Sequence, residues 1–233
     1  MVYGFLAGPA ARWLGLAEAQ ANGILIAGAH AVARGLGKEL QDRDIKALLV
    51  DTDPYNVTRA IAIGLPARRM SVLTEEASHD LDLRGIGRLL AFTSNDEVNS
   101  LATARFARVF GRREVFQLVP SKRRPGDSSV PEEHLGRLIG IDGISYSTID
   151  DRSRQGWKVR GARSSDLIVS AVDDELFIPM VRVADGRMAF LCRNDPLPTE
   201  GDVIGLAAPS LLKQLDDDIA AHEDTNPTGV PRE

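Results

Sequence analysis

An α/β fold, a doubly wound parallel sheet with a smaller β-rich C-terminal module, is predicted for this chain by three observations. Ile24, Leu25, Ile26 and Ala27 form an apolar run, Gly28 follows, and residues 29–41 carry Val32, Leu36 and Leu40 at helical spacing with Ala33 beside them. A second apolar run, Ala47, Leu48, Leu49 and Val50, ends on Asp51, which lies 23 residues beyond Gly28. An acid about 20 residues beyond a strand–glycine–helix turn has the spacing of a ribose-binding carboxylate in a nucleotide-binding βαβ unit. Strand and helix patterns then go on alternating to residue 119, as parallel strands joined by helical crossovers require. The sheet expected is therefore Rossmann-like. The glycine fingerprint is incomplete, however. G-x-G-x-x-G asks for Gly at 28, 30 and 33, and this chain has Gly28, His30 and Ala33.

The remaining elements follow in order. In residues 29–41, Gly35 and Gly37 weaken the helix but permit close approach to a sheet. Asn56 is predicted to cap a helix over residues 57–63, with Gly64 as its stop. A third strand is expected at residues 69–73 and a short acid-rich helix at 74–83. The fourth strand, residues 88–93, has Leu89, Leu90, Ala91 and Phe92 at its middle. A helix starts at Asp96 with Val98, Leu101, Ala102, Arg105, Phe106 and Val109 in register, and ends at Gly111. Residues 114–119 alternate as a fifth strand. Right-handed crossovers leave the ligand crevice at the carboxyl ends of the first and fourth strands.

Residues 121–131 are polar and turn-forming and read as a linker. Beyond it the pattern predicts a helix at 146–155 closed by Gly156, and a strand at 157–163. Strands at 176–183 and 187–192 are joined by a turn at 184–186, and after a turn at 198–202 a last strand spans 203–207. Asp216, Asp217 and Asp218 open a tail expected to fray into disorder. The division expected is residues 21–120 for the nucleotide-binding domain, 121–131 for the linker, 132–210 for the small module and 211–233 for the tail.

Bulk properties narrow the function classes. The chain has 233 residues, 43% of them hydrophobic, enough for a large core or a domain with an appendage. A net charge of −5 argues against nucleic acid as a partner. The single Cys192, in a strand pattern, excludes an internal disulfide and a Cys-based zinc cluster. No apolar run reaches the roughly 18 residues of a membrane span. Residues 1–17 lack the basic start of a secretory signal. There is no H-E-x-x-H, G-x-S-x-G or P-loop, and none of Tyr3, Tyr55 and Tyr146 has a Lys four residues on. The four His are dispersed, and Asp173, Asp174 and Glu175 read as a solvated turn.

Each candidate binding residue carries two readings. Gly28 turns the backbone so that the amides from Ala29 onward, at a helix N-terminus, meet a phosphate, or it serves a plain βα turn. His30 puts a side chain where a pyrophosphate normally approaches; it hinders a dinucleotide, leaves room for a single phosphate, or simply faces solvent. Ala33 takes the packing position of the third glycine. Asp51 accepts both ribose hydroxyls or caps the next turn; Thr52 and Asp53 follow it toward the same crevice, and Asp53-Pro54 also has ordinary turn chemistry. Thr93, Ser94 and Asn95 contact a nucleotide or cap the next helix, with Asn99 bracing the turn from inside that helix.

Three stretches, GILIAGAHAVARGLGKEL (23–40), ALLVDTDPYNVTRA (47–60) and GIGRLLAFTSNDEVNSLATARFARVFG (85–111), together resemble the RCK/TrkA-N domain, the cytosolic nucleotide-sensing module of potassium channels and cation transporters. The most telling residues are the acidic, amide-rich turn from Thr93 through Asn99 at the start of a helix. The resemblance covers residues 23–120, and the remainder is similar to the tail of monovalent cation:proton antiporters of the sodium/hydrogen exchanger type. There the module follows the last membrane helix. Residues 1–20, with Val2, Tyr3, Phe5, Leu6, Trp13 and Leu14, fit such a junction as a membrane-proximal linker, or else a frayed N-terminal helix. The resemblance implies an adenine nucleotide (AMP, ADP, ATP or NAD(H)) as ligand and a homodimer at the cytoplasmic face of a membrane. It further implies regulation of a Na⁺ or K⁺/proton antiporter domain without turnover. The alternatives are an NAD(P)-dependent oxidoreductase and a free-standing TrkA-like subunit of a potassium uptake system.

Overall fold

The computed structural model describes residues 21–75, 77, 81–120, 136–163 and 166–224, with backbone alone for 166 and 217–224. The expected linkers at 1–20 and 121–131, part of the 74–83 helix and residues 225–233 lie outside the described residues. Strand β1 (Gly23–Ala27) pairs in parallel with β2 (Ala47–Asp51) on one side and β4 (Ile86–Ala91) on the other. Every residue of β1 is buried, as a parallel strand covered on both faces must be. With β3 (Ala67–Arg69), β5 (Val115–Gln117) and β6 (Arg137–Leu138), the sheet has the order β3-β2-β1-β4-β5-β6. That is the Rossmann order, and it reverses direction between β1 and β4.

Helix α1 (Ala31–Gln41) follows β1 and buries Val32, Ala33, Leu36 and Leu40. Helix α2 (Pro54–Ala62) starts earlier than predicted. Asp53, not Asn56, is its cap, accepting a 2.9 Å hydrogen bond from Tyr55 N–H, because Pro54 fits the first helical position and needs no donor partner there. Strand β3 falls two residues before its predicted start. Helix α3 (Asp96–Phe110) buries part of the predicted face, Ala102 and Phe106, but not the rest. Its buried side is Asn99, Ser100, Ala102, Thr103 and Phe106, while Leu101 is 58% and Val109 47% exposed. The buried polar groups are satisfied locally: Ser100 donates to Asp96 C=O and Thr103 to Ser100 C=O.

The C-terminal half continues the first sheet before it builds its own. β6 pairs in parallel with β5, and helix α4 (Tyr146–Arg154) then leads to an antiparallel sheet. That sheet consists of β7 (Lys158–Arg163), β8 (Phe177–Ala184), β9 (Arg187–Phe190) and β10 (Asp202–Ala207), in the order β7-β10-β8-β9. Helix α5 (Asp166–Asp173), absent from the sequence reading, buries Ile168 and Ala171. The acidic tail also departs from expectation, since α6 (Pro209–Asp224) is helical where fraying was predicted. Leu211 and Leu215, one turn apart, are buried and anchor it, and Asp216 pairs with Arg160.

Helix α1 lies between the two sheets. One continuous apolar core joins Ile24, Ile26, Leu36 and Leu49 to Met180, Val181 and Ile204 of the antiparallel sheet. Gly35 makes the contact close, since a Cβ there would stand 3.0 Å from that of Val159. At the far end of α1, Arg43 bonds Glu39 at 2.8 Å and Asp202 at 2.9 Å, and Glu39 accepts from Gly161 N–H at 2.9 Å. The helix that opens at the predicted crevice is thus fastened at its other end to β7 and β10.

Candidate functional site

A cleft of about 360 Å³ opens at the carboxyl ends of β1, β2 and β4, where the strand order reverses. Its volume lies at the low end of the 300–1,000 Å³ typical of ligand pockets. Of the predicted residues, Gly28, His30, Asp51, Thr52, Asp53, Thr93, Ser94 and Asn95 line it. Ala29 and Ala33 do not; both are 0% exposed, and Ala33 packs in the core, the job of the third fingerprint position.

Gly28 sits at φ +119, and a Cβ on it would stand 2.5 Å from Phe92 C=O. The turn therefore needs glycine twice over, for its backbone angle and for the end of β4 beside it. The first bond within α1 runs from Arg34 N–H to His30 C=O, so the amides of residues 30–33 have no partner further back in the helix. His30 is the N-cap residue, yet its side chain makes no capping bond. Instead its Nε2 lies 2.9 Å from Phe92 C=O, which fixes the proton on Nε2, since a carbonyl can only accept. The solvent-facing reading of His30 is overturned: the ring packs 4.9 Å from Phe92 and 5.5 Å, edge-on, from Tyr146.

Burial holds the His30 pKa below its ordinary value of 6.5, outweighing the hydrogen bond to Phe92 and the carboxylates of Asp51 and Asp150 that push the other way. Above about pH 6.5 the residue is neutral folded or unfolded, and its contribution to stability is fully present. As pH falls below 6.5 the unfolded chain takes up the proton first, so stability is lost until the depressed folded pKa is reached. We expect His30→Gln to remove this component, at most about 1.4 kcal/mol per pH unit. Urea unfolding of both proteins at pH 7.5 and 5.5 measures it; equal slopes would refute it.

Asp51 is partly committed. Its Oδ2 accepts from Ala29 N–H at 2.8 Å and from Asn56 Nδ2 at 3.1 Å, and its Oδ1 accepts from Asp53 N–H at 2.9 Å. A carboxylate has about four acceptor positions. One therefore remains on Oδ1, enough for a single ribose hydroxyl rather than the two expected. The amide of Ala29, expected to meet a phosphate, is taken by Asp51, leaving that role to the amides after it. Asp53 serves as the α2 cap, and Asn95 caps α3 by accepting from Val98 N–H at 3.0 Å. The capping reading holds for Asn95, Asp53 takes the cap predicted for Asn56, and both still line the cleft. Asn99 braces the turn as predicted: its Oδ1 accepts from Thr93 N–H and Oγ1 at 3.0 and 2.8 Å, and its Nδ2 donates to Thr93 C=O at 3.0 Å.

Residues 24–124 match the family model described as the TrkA-N domain. This segment is similar to a TrkA-N domain, and the match covers less than half of the chain. No curated protein matches the chain. Among solved structures, the NAD(P)-binding domain of an exopolyphosphatase-related protein from Archaeoglobus fulgidus is similar at 22% identity and a TM-score of 0.43, over 57% of this chain and 94% of that one. The TrkA-N domain of the inner membrane protein ybaL from Escherichia coli is similar at 21% identity and a TM-score of 0.37, over 41% and 71%. The GsuK channel bound to NAD is similar at 15% identity and a TM-score of 0.40, over 91% and 43%, so this chain spans less than half of that one. At these scores none of the three bears on what this chain binds.

The matched segment does not build the cleft alone. Tyr146, the first residue of α4 and outside the matched segment, also lines it. Burial, with Asp150 and Asp51 nearby, pushes its phenol pKa up, so it stays a neutral donor. The sequence reading missed it, along with Asn56, Met70, Ser71, Val72 and Val98. Asn56, in the first turn of α2, and Ser71, two residues past β3, lie close to predicted elements and were within reach of sequence reasoning; Tyr146 depends on a packing that no local pattern announces. Among the described residues no cluster of His, Cys, Asp and Glu is suited to hold a metal ion, and no helix is long and apolar enough to cross a membrane.

Proposed function

We propose that this chain is the cytosolic nucleotide-sensing module of a monovalent cation (Na⁺ or K⁺)/proton antiporter, working as a homodimer against the antiporter's membrane domain. An adenine nucleotide occupies the cleft, with its phosphate at the start of α1 and its ribose on Asp51 Oδ1. Residues 21–120 form the binding domain, and residues 132–210 carry the response. The ligand shifts a conformational equilibrium by its differential affinity for two states, and the module has no turnover. The observation that carries this reading is the cleft at the strand-order reversal, where Gly28 and His30, at a start of α1 without a side-chain cap, and an open acceptor on Asp51 line one space. The TrkA-N match and the three resembling stretches support the transport setting.

Calorimetry with AMP, ADP, ATP, NAD and NADH tests it. At least one is expected to bind below millimolar concentration, and silence from all five would end the reading. Asp51→Asn keeps the side-chain shape and is expected to weaken binding roughly tenfold, or 1.4 kcal/mol. Asp51→Ala is a different experiment. It strands Ala29 N–H, Asp53 N–H and the Asn56 amide, and because the site is partly open to water it is expected to cost about 2 kcal/mol of stability. A melting temperature unchanged by Asp51→Ala would show that those bonds contribute nothing.

A further inference from the structure

A ligand that crosses the whole sheet edge must pass from the β2 side of β1 to the β4 side. On that crossing the His30 ring is tied to the last carbonyl of the β4 segment, with Nε2 2.9 Å from Phe92 C=O. Tyr146 stands edge-on to the same ring, 5.5 Å away and at 82°, coming from an element outside the TrkA-N segment. In a dinucleotide site the second fingerprint glycine leaves this space open so that backbone meets pyrophosphate. Here the His30 ring stands at that place, with the Tyr146 ring edge-on beside it. The charge inventory points the same way. Among the described residues the cleft lining contains Asp51 and Asp53 but neither Lys nor Arg, and the nearest cation, Arg34, donates to Ala29 C=O and Asn56 Oδ1, so no described side chain in the lining neutralises a second or third phosphate. The α1 terminus supplies roughly half a positive charge, suited to one phosphate group.

From these observations we infer that the cleft selects a nucleoside monophosphate over dinucleotides and nucleoside triphosphates, and that His30 and Tyr146 are the residues that impose the choice. The inference rests on the nucleotide reading above and narrows its ligand class. The nucleoside lies toward Asp51 and Ser71, and its phosphate ends the ligand at the imidazole, within reach of the Thr93 turn that lines the same cleft. A neutral His30 whose Nε2 proton is already given to Phe92 cannot also give it to that phosphate, so the ring acts here as a wall.

The test is a set of calorimetric titrations of the whole chain with AMP, ATP and NAD, repeated on His30→Gly and on Tyr146→Ala, with circular dichroism as the check on folding. Wild type is expected to bind AMP at least about tenfold tighter than either competitor. Each variant is expected to raise NAD affinity relative to AMP, and the double variant to raise it by roughly tenfold. NAD or ATP binding as tightly as AMP to the wild type would overturn the inference while leaving the sensor reading intact. Folded variants with an unchanged AMP-to-NAD ratio would overturn the roles of His30 and Tyr146. No binding of any nucleotide by the wild type would remove the sensor reading and this inference together. Should the variants not fold, the wild-type ranking alone still decides the ligand class.

Discussion

Gly28→Ala is expected to destabilise the protein by about 4 kcal/mol, the sum of a strained backbone and a clash with an immovable neighbour. A φ of +119 is open to glycine and strained for any L side chain, whatever the space around it. The added Cβ would also stand 2.5 Å from Phe92 C=O. That oxygen cannot swing aside, because Phe92 N–H bonds Ala27 C=O at 2.8 Å and the carbonyl itself receives the His30 proton. Of a typical stability of 5–15 kcal/mol this is a large share, and for a chain of this size it corresponds to a melting-temperature drop of about 8–16 °C. Gly64→Ala is the control. Gly64 also has a positive φ, +80, but open space where its Cβ would go, so only the backbone term applies, about 1 kcal/mol. Equal losses at the two positions, measured by urea unfolding, would show that the Phe92 contact carries no cost.

The contrast between these glycines also marks what the sequence could convey. The βαβ unit was legible because its signal is local: continuous apolar runs for strands covered on both faces, a glycine at the turn, an acid at the right distance. Reading failed where tertiary contacts outvote hydropathy. In α3, apolar Leu101 and Val109 face outward while Asn99, Ser100 and Thr103 go in, because each polar side chain finds a partner within reach and so loses little on burial. The acidic tail looked soluble and structureless, yet Leu211 and Leu215 seat it as α6, and the run of Asp that drew attention lies past the anchor. Strand β6 is two residues long, too short for any periodicity, and only pairing to β5 defines it.

The site followed the same division. The chain positions that form the cleft could be named from spacing, but the hydrogen bonds that use up much of Asp51 could not. A carboxylate at the end of β2 looks the same in sequence whether its lone pairs are open or already given to Ala29, Asp53 and Asn56. Tyr146 was assigned to the correct helix start without being connected to the crevice, since the link is a ring contact across 116 residues of sequence. What closes the cleft is therefore the packing of α4 against α1, a property of the two halves together.

Asn99→Leu is the second large effect expected, about 3 kcal/mol, and it separates the shape of the cleft from the stability of the fold. Asn99 is 1% exposed, and its amide group clamps the Thr93 backbone on both sides, accepting from its N–H and donating to its C=O. Leucine keeps the volume but leaves the Thr93 N–H and C=O without this partner, while the hydroxyl keeps Asn95 C=O at 3.2 Å, and each group left without a partner costs about 1–3 kcal/mol where water cannot reach it. The buried apolar neighbours on α3, Ala102 and Phe106, are untouched, so the helix should persist while its first turn loosens. Thr93, Ser94 and Asn95 line the cleft on that turn, and Thr93 Oγ1 also accepts from Asn95 N–H at 3.2 Å. The loss of stability is therefore expected to come with weakened nucleotide binding. Asn99→Asp keeps the two acceptor contacts but turns a carboxylate oxygen toward Thr93 C=O, so it should recover at most part of each. Unfolding and calorimetry on the two variants read both quantities. If Asn99→Leu lowered stability but bound nucleotide as the wild type does, the Thr93 turn would not be part of the binding surface, and the ligand would lie wholly on the Asp51 side of the cleft.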